Sequence, residues 1–236
     1  MKKYFLSVLF IFCFLLTSCS PKVEQKDTTN TTTKETNFSS KNTESKHQIY
    51  AAILNSKLGP ITYYNQNDIR WYDYLYGKKD PLSIYGCGPT VVACLVSSFI
   101  DPSMTPDKVA DWAYKKGYWA SKEGSYHSLM SSGLSSYGFQ VRGISSPSKE
   151  EILSSLNSGH ILVALMGKGH FTSEGHFILI LDVTKDGGLL IADVNSYENT
   201  KKPWKIETIV KELKKNATAN GPLWEVSLPE KKSSSK

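Results

Sequence analysis

One cysteine stands in the sequence setting that a thiol nucleophile requires. Cys87 is flanked by Gly86 and Gly88, and Pro89 leads into an apolar run at 91–96 that is typical of a helix. Proline is favoured in the first helical turn because its missing N–H would be unpaired there anyway. The free N–H groups at a helix start stabilise a thiolate and lower its pKa. We expect the two glycines to let a substrate backbone approach closely, and the alternative is a buried structural thiol beside a turn.

A thiol nucleophile needs a base that holds it as a thiolate. His176 opens the apolar segment 177–181, and a first strand residue combines a rigid backbone with an accessible ring, so we predict His176 as the base. His170 is the second candidate, because it lies in the glycine-rich loop 167–175, which could carry it to a cleft. Most histidines are satisfied surface or core residues, so this preference depends on context.

The base in turn needs a group that orients its ring. The residues at 185–188 predict a tight hairpin turn, and folding the chain there places Asp193 opposite 178–180. Asn195 would lie nearer to His176, so simple pairing favours Asn195 slightly, and Asp193 requires a bulge or twist. Asp193 is the candidate whose charge would also stabilise an imidazolium. Either residue could instead be an ordinary turn residue at a strand end.

The elements that must position these residues lie within 48–229, which we predict to be one folded domain. Helices come first and an antiparallel sheet second, so the fold class is α+β. The predicted helices cover 90–98, 105–116, 127–137, 148–159 and 205–215, and the predicted strands cover 61–64, 139–144, 161–166, 176–183, 189–193 and 223–228.

The charge of the chain lies mostly in its ends. Of the formal net charge of +6, residues 1–47 and the predicted basic tail at 230–236 account for all but one unit. The composition therefore makes no case for nucleic-acid binding. A hydrophobic content of 40% is sufficient for a packed core.

Four cysteines occur in the chain, two of them in the predicted domain. In a helix over 90–98, Cys94 would lie about 10 Å along the axis from Cys87, which is too far for a disulfide. We predict Cys94 to be a small core residue. The cysteines and histidines show no metal-ligand spacing, so neither a metal nor a cofactor is predicted.

The N-terminus carries features of a secretory leader. An apolar run at 4–16 follows a basic start and is too short to cross a bilayer comfortably. The residues at 16–19 resemble a bacterial lipobox, and that resemblance implies cleavage before Cys19 and lipidation of its thiol. We therefore predict a lipoprotein signal peptide at 1–18, a flexible Ser/Thr/Lys-rich tether at 19–47, and an extracytoplasmic protein anchored to the cell membrane. The alternative is an ordinary signal peptide with a chance cysteine.

Several of these motifs together resemble a known family. The cysteine box at 86–90, Gln66, the segment 175–178 and Asp193 are similar to those of the C39-like cysteine peptidases of the papain-like superfamily. The longer segment 166–177 is also fairly specific for this resemblance.

The resemblance implies a papain-like fold with the nucleophile at a helix N-terminus, packed on an antiparallel sheet. It also implies that Cys87 is the nucleophile, His176 the base and Asp193 the acid, with Gln66 as an oxyanion donor. Two features differ from the family. Val194 follows Asp193 where a proline is frequent, and Gln66 precedes Cys87 by 21 residues, a longer gap than in close papain relatives.

These residues predict a surface-tethered cysteine peptidase whose partners are a peptide or protein substrate and the membrane. The tether and the single domain favour a monomer. An acyl transferase or a cell-wall peptide hydrolase could use the same triad. A third possibility is a non-catalytic lipoprotein in which the aromatic loops at 71–74 and 118–119 bind a peptide or glycan, although core packing explains those aromatics equally well.

Overall fold

The computed structural model describes residue 50 and residues 52–228 of the chain. Predicted features outside that range stay predictions: the signal peptide at 1–18, the tether at 19–47 with Cys19, and the basic tail at 230–236. Within the described range, no helix combines the length and the apolar character that a membrane crossing requires.

The helices of the described residues lie mainly before and after a central set of strands. They are α1 (Leu82–Tyr85), α2 (Cys87–Phe99), α3 (Pro106–Lys115), α4 (Leu134–Ser136), α5 (Lys149–Asn157), α6 (Tyr197–Thr200) and α7 (Ile206–Glu212). The strands are β1 (Ala52–Leu54), β2 (Ile61–Tyr63), β3 (Leu75–Tyr76), β4 (Asp80–Pro81), β5 (Trp119–Ala120), β6 (Gly124–Ser125), β7 (Gln140–Ile144), β8 (Ile161–Met166), β9 (His176–Val183), β10 (Leu189–Asp193) and β11 (Leu223–Ser227).

Five strands form the main sheet in the order β10-β9-β8-β11-β7, and every neighbouring pair is antiparallel. Strand β8 is buried at every position because both faces of the sheet are covered. Alternate residues of β8 and β9 enter two separate cores, one shared with α2 and the other with α5 and α7. Side chains of a strand alternate between its two faces, so a sheet packed between two helical layers buries apolar residues at every position. The predicted α+β arrangement is therefore the observed one.

Most element boundaries follow the sequence signals. Ser148 and Glu151 have the spacing of a capping box, and the Ser148 Oγ accepts a hydrogen bond from the Glu151 N–H at 3.1 Å at the start of α5. The strands predicted at 161–166, 176–183 and 189–193 have the observed bounds of β8, β9 and β10.

Two predicted helices differ from the structure. The helix predicted over 127–137 is a π-helical turn at Leu129–Gly133 that runs into the short α4. The helix predicted to 215 ends at Glu212, because Leu213 has extended backbone angles and the Lys214 N–H donates to Leu165 O at 2.9 Å. Pairing with the end of the central strand β8 thus replaces the last helical turn.

Candidate active site

The first turn of α2 positions Cys87. Cys87 is the first residue of the helix and is partly exposed, and the Thr90 N–H and hydroxyl both donate to Gly86 O, at 2.9 and 2.7 Å. The α2 helix is anchored by its buried apolar residues, which lie in one core with β9. The thiol is consequently held at the end of a rigid element where backbone N–H groups have no helical partner.

The glycines beside Cys87 serve packing within the protein, contrary to the expectation that they leave room for a substrate. A Cβ on Gly86 would lie 2.3 Å from the Leu82 carbonyl oxygen, and a Cβ on Gly88 would lie 2.6 Å from Ser125 Oγ. Only glycine allows α1 and β6 to approach the helix start this closely.

His176 begins β9 and Asp193 ends the neighbouring β10. Both side chains are buried, and His176 Nε2 lies 2.7 Å from Asp193 Oδ1. A register shift between Leu190 and Ile191 brings Asp193 opposite Ile178. Without that bulge the pairing of Leu190 with Asp182 would continue and place Asp193 opposite the next residue, on the other face from His176. The bulge is therefore what makes the pair possible.

The His176 ring acts electrostatically on the Cys87 thiol and lowers the pKa of that thiol. The backbone N–H groups of Phe177 and Gly88 lower the same pKa further. Cys87, His176 and Asp193 thus form one electrostatically linked row from a helix start to a strand end.

The electrostatics of this row favour a thiolate beside an imidazolium. Burial opposes a charged Cys87, but the hydrogen bond and positive charge of His176, with the N–H groups of Phe177 and Gly88, hold the Cys87 pKa below its usual value. Burial likewise opposes a charged His176, yet Asp193 and Cys87 together raise the pKa of His176 to about 9. Burial disfavours the Asp193 carboxylate too, but His176 and Asn199 lower the pKa of Asp193. Each charge is stabilised by its neighbour.

Gln66 lies between the end of β10 and α1. Its backbone N–H donates to Val194 O at 2.7 Å, and its side-chain Nε2 donates to Ser83 O at 2.8 Å. The side chain is buried, and among the described residues its Oε1 has no hydrogen-bond partner. One amide hydrogen and the buried Oε1 thus have no hydrogen-bond partner within the described residues.

Asn195 forms no hydrogen bond with His176 in the described part of the chain, although simple strand pairing favoured it. Its side-chain Oδ1 accepts from Asn67 Nδ2 at 2.7 Å, and its backbone N–H donates to Asp193 Oδ1 at 2.9 Å. Strand β10 ends at Asp193 and the chain turns there, so the pairing that would place Asn195 opposite His176 does not continue.

Several residues that hold Asp193 were not predicted from the sequence. Asn199 Nδ2 donates to Asp193 Oδ2 at 2.8 Å, the Tyr63 hydroxyl donates to Asp193 O at 2.8 Å, and the Asp193 N–H donates to Thr200 Oγ1 at 3.0 Å. Asn199 and Thr200 belong to α6, whose N-cap is Ser196. The Ser196 cap followed by an acidic first turn is the sequence signal that could have located α6.

The second candidate base, His170, belongs to a different cluster. Its backbone N–H donates to Glu212 Oε2 at 2.7 Å, its ring hydrogen-bonds the same carboxylate, and the ring packs against Trp204. Its side chain is 62% exposed, and it makes no hydrogen bond to Cys87 in the described part of the chain. These contacts tie the 167–175 loop to α7.

The aromatic loops contribute mainly to packing. Trp71 is buried and its indole N–H donates to Asn65 O at 2.8 Å, while the Trp119 indole donates to Asp80 Oδ2 at 3.0 Å. Tyr118 stacks on Trp112. Of the two readings of these aromatics, core packing accounts for their positions.

Comparison with known proteins places this geometry in a family. No curated protein matches the chain. The crystal structure of the peptidase domain of Streptococcus ComA, a bi-functional ABC transporter involved in a quorum sensing pathway, is similar at 15% identity and a TM-score of 0.41, covering 61% of this chain and 92% of that domain.

The model of the Peptidase C39 like family matches residues 59–225, which include all the residues described above for the candidate site. That match and the observed helices and antiparallel sheet agree with the predicted papain-like α+β fold. Such a match suggests cysteine peptidase activity. This chain is a member of the Peptidase C39 like family.

Proposed function

We propose that the protein is a cysteine peptidase in which Cys87, His176 and Asp193 form the catalytic triad. The observation that carries the proposal is the buried His176–Asp193 pair, 2.7 Å apart, together with a thiol at a helix start whose pKa the His176 ring lowers. A thiolate and an imidazolium are the protonation states that nucleophilic attack on an amide requires.

In the first step the Cys87 sulfur bonds to the carbonyl carbon of the substrate, and the carbonyl π electrons move to oxygen. The free amide hydrogen of Gln66 and the Cys87 backbone N–H are the proposed donors to that oxyanion. His176 then gives its proton to the leaving amine as the carbon–nitrogen bond breaks, which leaves an acyl-enzyme. In the second step His176 takes a proton from water, the hydroxide attacks the thioester, and the acid product leaves as the thiolate re-forms.

The tether places this chemistry outside the cytoplasm in our proposal. Its support is the lipobox-like sequence ending at Cys19. If Cys19 carries the lipid, Cys19→Ala should shift the full-length protein from the membrane fraction to the soluble fraction, and mass spectrometry should find no lipid on the variant. An unchanged distribution would remove the anchor from the proposal.

Removal of the thiol is the direct test of the proposed activity. Cys87→Ala should abolish cleavage of a mixed peptide library, measured by liquid chromatography and mass spectrometry, while its circular dichroism spectrum stays that of the wild type. Cys94→Ser serves as the matched control because it changes the other thiol of α2. Cleavage that survives Cys87→Ala would refute the nucleophile assignment.

A further inference from the structure

A polar cleft of about 520 Å³ lies beside the neighbours of Cys87 and His176. Its lining includes Ser125, whose side chain packs on Gly88, the residue after the thiol. The lining also includes Gly175, the residue before His176. A substrate whose scissile bond lies at Cys87 would therefore pass close to this cleft.

Lys214 presents a cation to the cleft without a carboxylate partner. Its ammonium donates to Glu174 O at 3.2 Å, and among the described residues it forms no ion pair. A Cβ on Gly175 would lie 3.0 Å from Lys214 Nζ, which fixes the ammonium beside that residue. Lys214 is half-buried, and its backbone N–H is bonded to Leu165 O, so the charge extends from an element held by the sheet.

His127 adds a neutral N–H donor to the same cleft. Its Nδ1 accepts from the Thr218 N–H at 2.9 Å, so the proton of the neutral ring lies on Nε2. The ring packs edge-on against Phe177 and Trp224. Burial, and to a lesser degree the charge of Lys214, lowers the pKa of His127 and keeps the ring neutral. Nε2 has no hydrogen-bond partner within residues 50 and 52–228.

The other charged groups of the cleft are exposed to solvent. They are Lys122 on one side, and Glu123 and Glu174, whose carboxylates form no ion pair with a described lysine or arginine. Electrostatic interactions strengthen where water is excluded. The attraction between an anionic ligand and the half-buried Lys214, with the His127 N–H beside it, is therefore stronger than the repulsion from the solvated carboxylates of Glu123 and Glu174.

We infer that this cleft binds a carboxylate of the peptide substrate, held by the Lys214 ammonium and the His127 Nε2–H. The inference depends on the proposed peptidase function, because the cleft has this role only if a scissile bond lies at Cys87. Two sources share the chemistry: an acidic side chain near the scissile bond, or the C-terminal carboxylate of the substrate. Lys214 and His127 would thus determine specificity without entering the bond-breaking steps.

The test uses the full-length Cys87→Ala protein, which binds peptides without turnover. Four pools of fluorescent hexapeptides are compared, all randomised among neutral residues at the remaining positions. Two pools carry one Glu, placed at each position in turn, and two carry one Gln in the same way. One pool of each kind ends in a free carboxylic acid and the other in an amide. Fluorescence polarisation should show at least tenfold tighter binding of one carboxylate class over the neutral Gln-amide pool. Preference for the Glu-amide pool identifies a side chain, and preference for the Gln-acid pool identifies the C-terminus.

Lys214→Met should remove this preference, and His127→Phe should weaken it severalfold. Lys215→Met is the matched control, because Lys215 is the next lysine, is exposed and does not line the cleft, so its variant should keep the preference. Equal binding of all four pools, binding of none, or a preference that survives Lys214→Met would overturn the inference. None of these results bears on the pH dependence of Cys87 alkylation in the wild-type protein. That measurement tests the proposed function separately.

Discussion

The two thiols of α2 lie seven residues apart, and their pKa values are shifted in opposite directions. Cys87 is partly exposed at the helix start, and the His176 ring with the backbone N–H groups of Phe177 and Gly88 lowers its pKa. Cys94 is fully buried, accepts the Tyr64 N–H at 3.3 Å, and burial raises the pKa of its thiol to about 12. Within the described residues both thiols are free.

This difference shows that position and partners, and not residue type, determine thiol reactivity here. Both sulfurs are desolvated, and both accept a backbone N–H. Only Cys87 has a cationic partner and a helix start, which together outweigh desolvation. Cys94 behaves as a small apolar core residue, as the sequence predicted.

Removal of the His176 imidazole should reduce the difference in reactivity between Cys87 and Cys94 more than any other change. In His176→Ala, Cys87 loses its cationic partner, so its pKa should rise to that of an ordinary thiol or above. The rate of alkylation by iodoacetamide at pH 6 should then fall by about 100-fold, because a free thiol is almost fully protonated there. A rate within a factor of three of wild type would mean that His176 does not hold the thiolate.

High pH should remove the same partner reversibly. The pKa of His176 is raised from 6.5 to about 9, so the folded protein binds this proton more tightly than the unfolded chain. The stabilisation from the charged ring is complete below about 6.5 and is lost as the pH rises through about 9. Peptide cleavage should therefore decline with a midpoint near 9, as measured by kcat/KM against pH. A decline centred near 6.5 would contradict the coupling.

Loosening of Asp193 should have a smaller effect. In Asn199→Ala, the Asp193 Oδ2 loses its donor, so the carboxylate orients and charges His176 less effectively. We expect the pH 6 alkylation rate of Cys87 to fall about tenfold, equivalent to about one pKa unit. Glu198→Ala is the control, because Glu198 lies in the same helix but its 81% exposed side chain pairs with Lys201. Equal effects in the two variants would show that α6 acts only through general stability.

Loss of the buried thiol should leave reactivity unchanged. Cys94→Ala removes the acceptor of the Tyr64 N–H and leaves that buried donor unpaired, so the free energy of unfolding should drop by about 1–3 kcal/mol. Urea denaturation measures this drop, and the alkylation rate of Cys87 in the same variant should equal that of wild type. A slower Cys87 would show that the two sites are coupled through α2.

The sequence predicted the positions of helices and strands better than it predicted the register in which the strands pair. The strands of the main sheet, the helix that carries Cys87 and the cap at Ser148 follow from local patterns that packing does not override. The choice between Asp193 and Asn195 could not be made, because it depends on a one-residue bulge with no distinctive local composition.

The packing at two glycines and the end of α7 could not be predicted from the sequence, because both depend on contacts between distant residues. The tight packing at Gly86 and Gly88 involves Leu82 and Ser125, and the second of these is distant in sequence. The early end of α7 results from pairing with the last residue of β8, a tertiary contact. Glycines and helix ends are where nonlocal contacts compete most directly with local propensity.

The measurement that tests the central claim most directly follows both thiols in one sample. The folded domain is treated with limiting iodoacetamide from pH 5 to pH 9, and modification of Cys87 and Cys94 is quantified separately by mass spectrometry. We predict that Cys87 reacts at a nearly constant rate from well below pH 7 and at least about 100-fold faster than Cys94. A Cys87 that titrates like a free thiol near about 8.5, or reacts no faster than Cys94, would contradict a thiolate–imidazolium pair at this site.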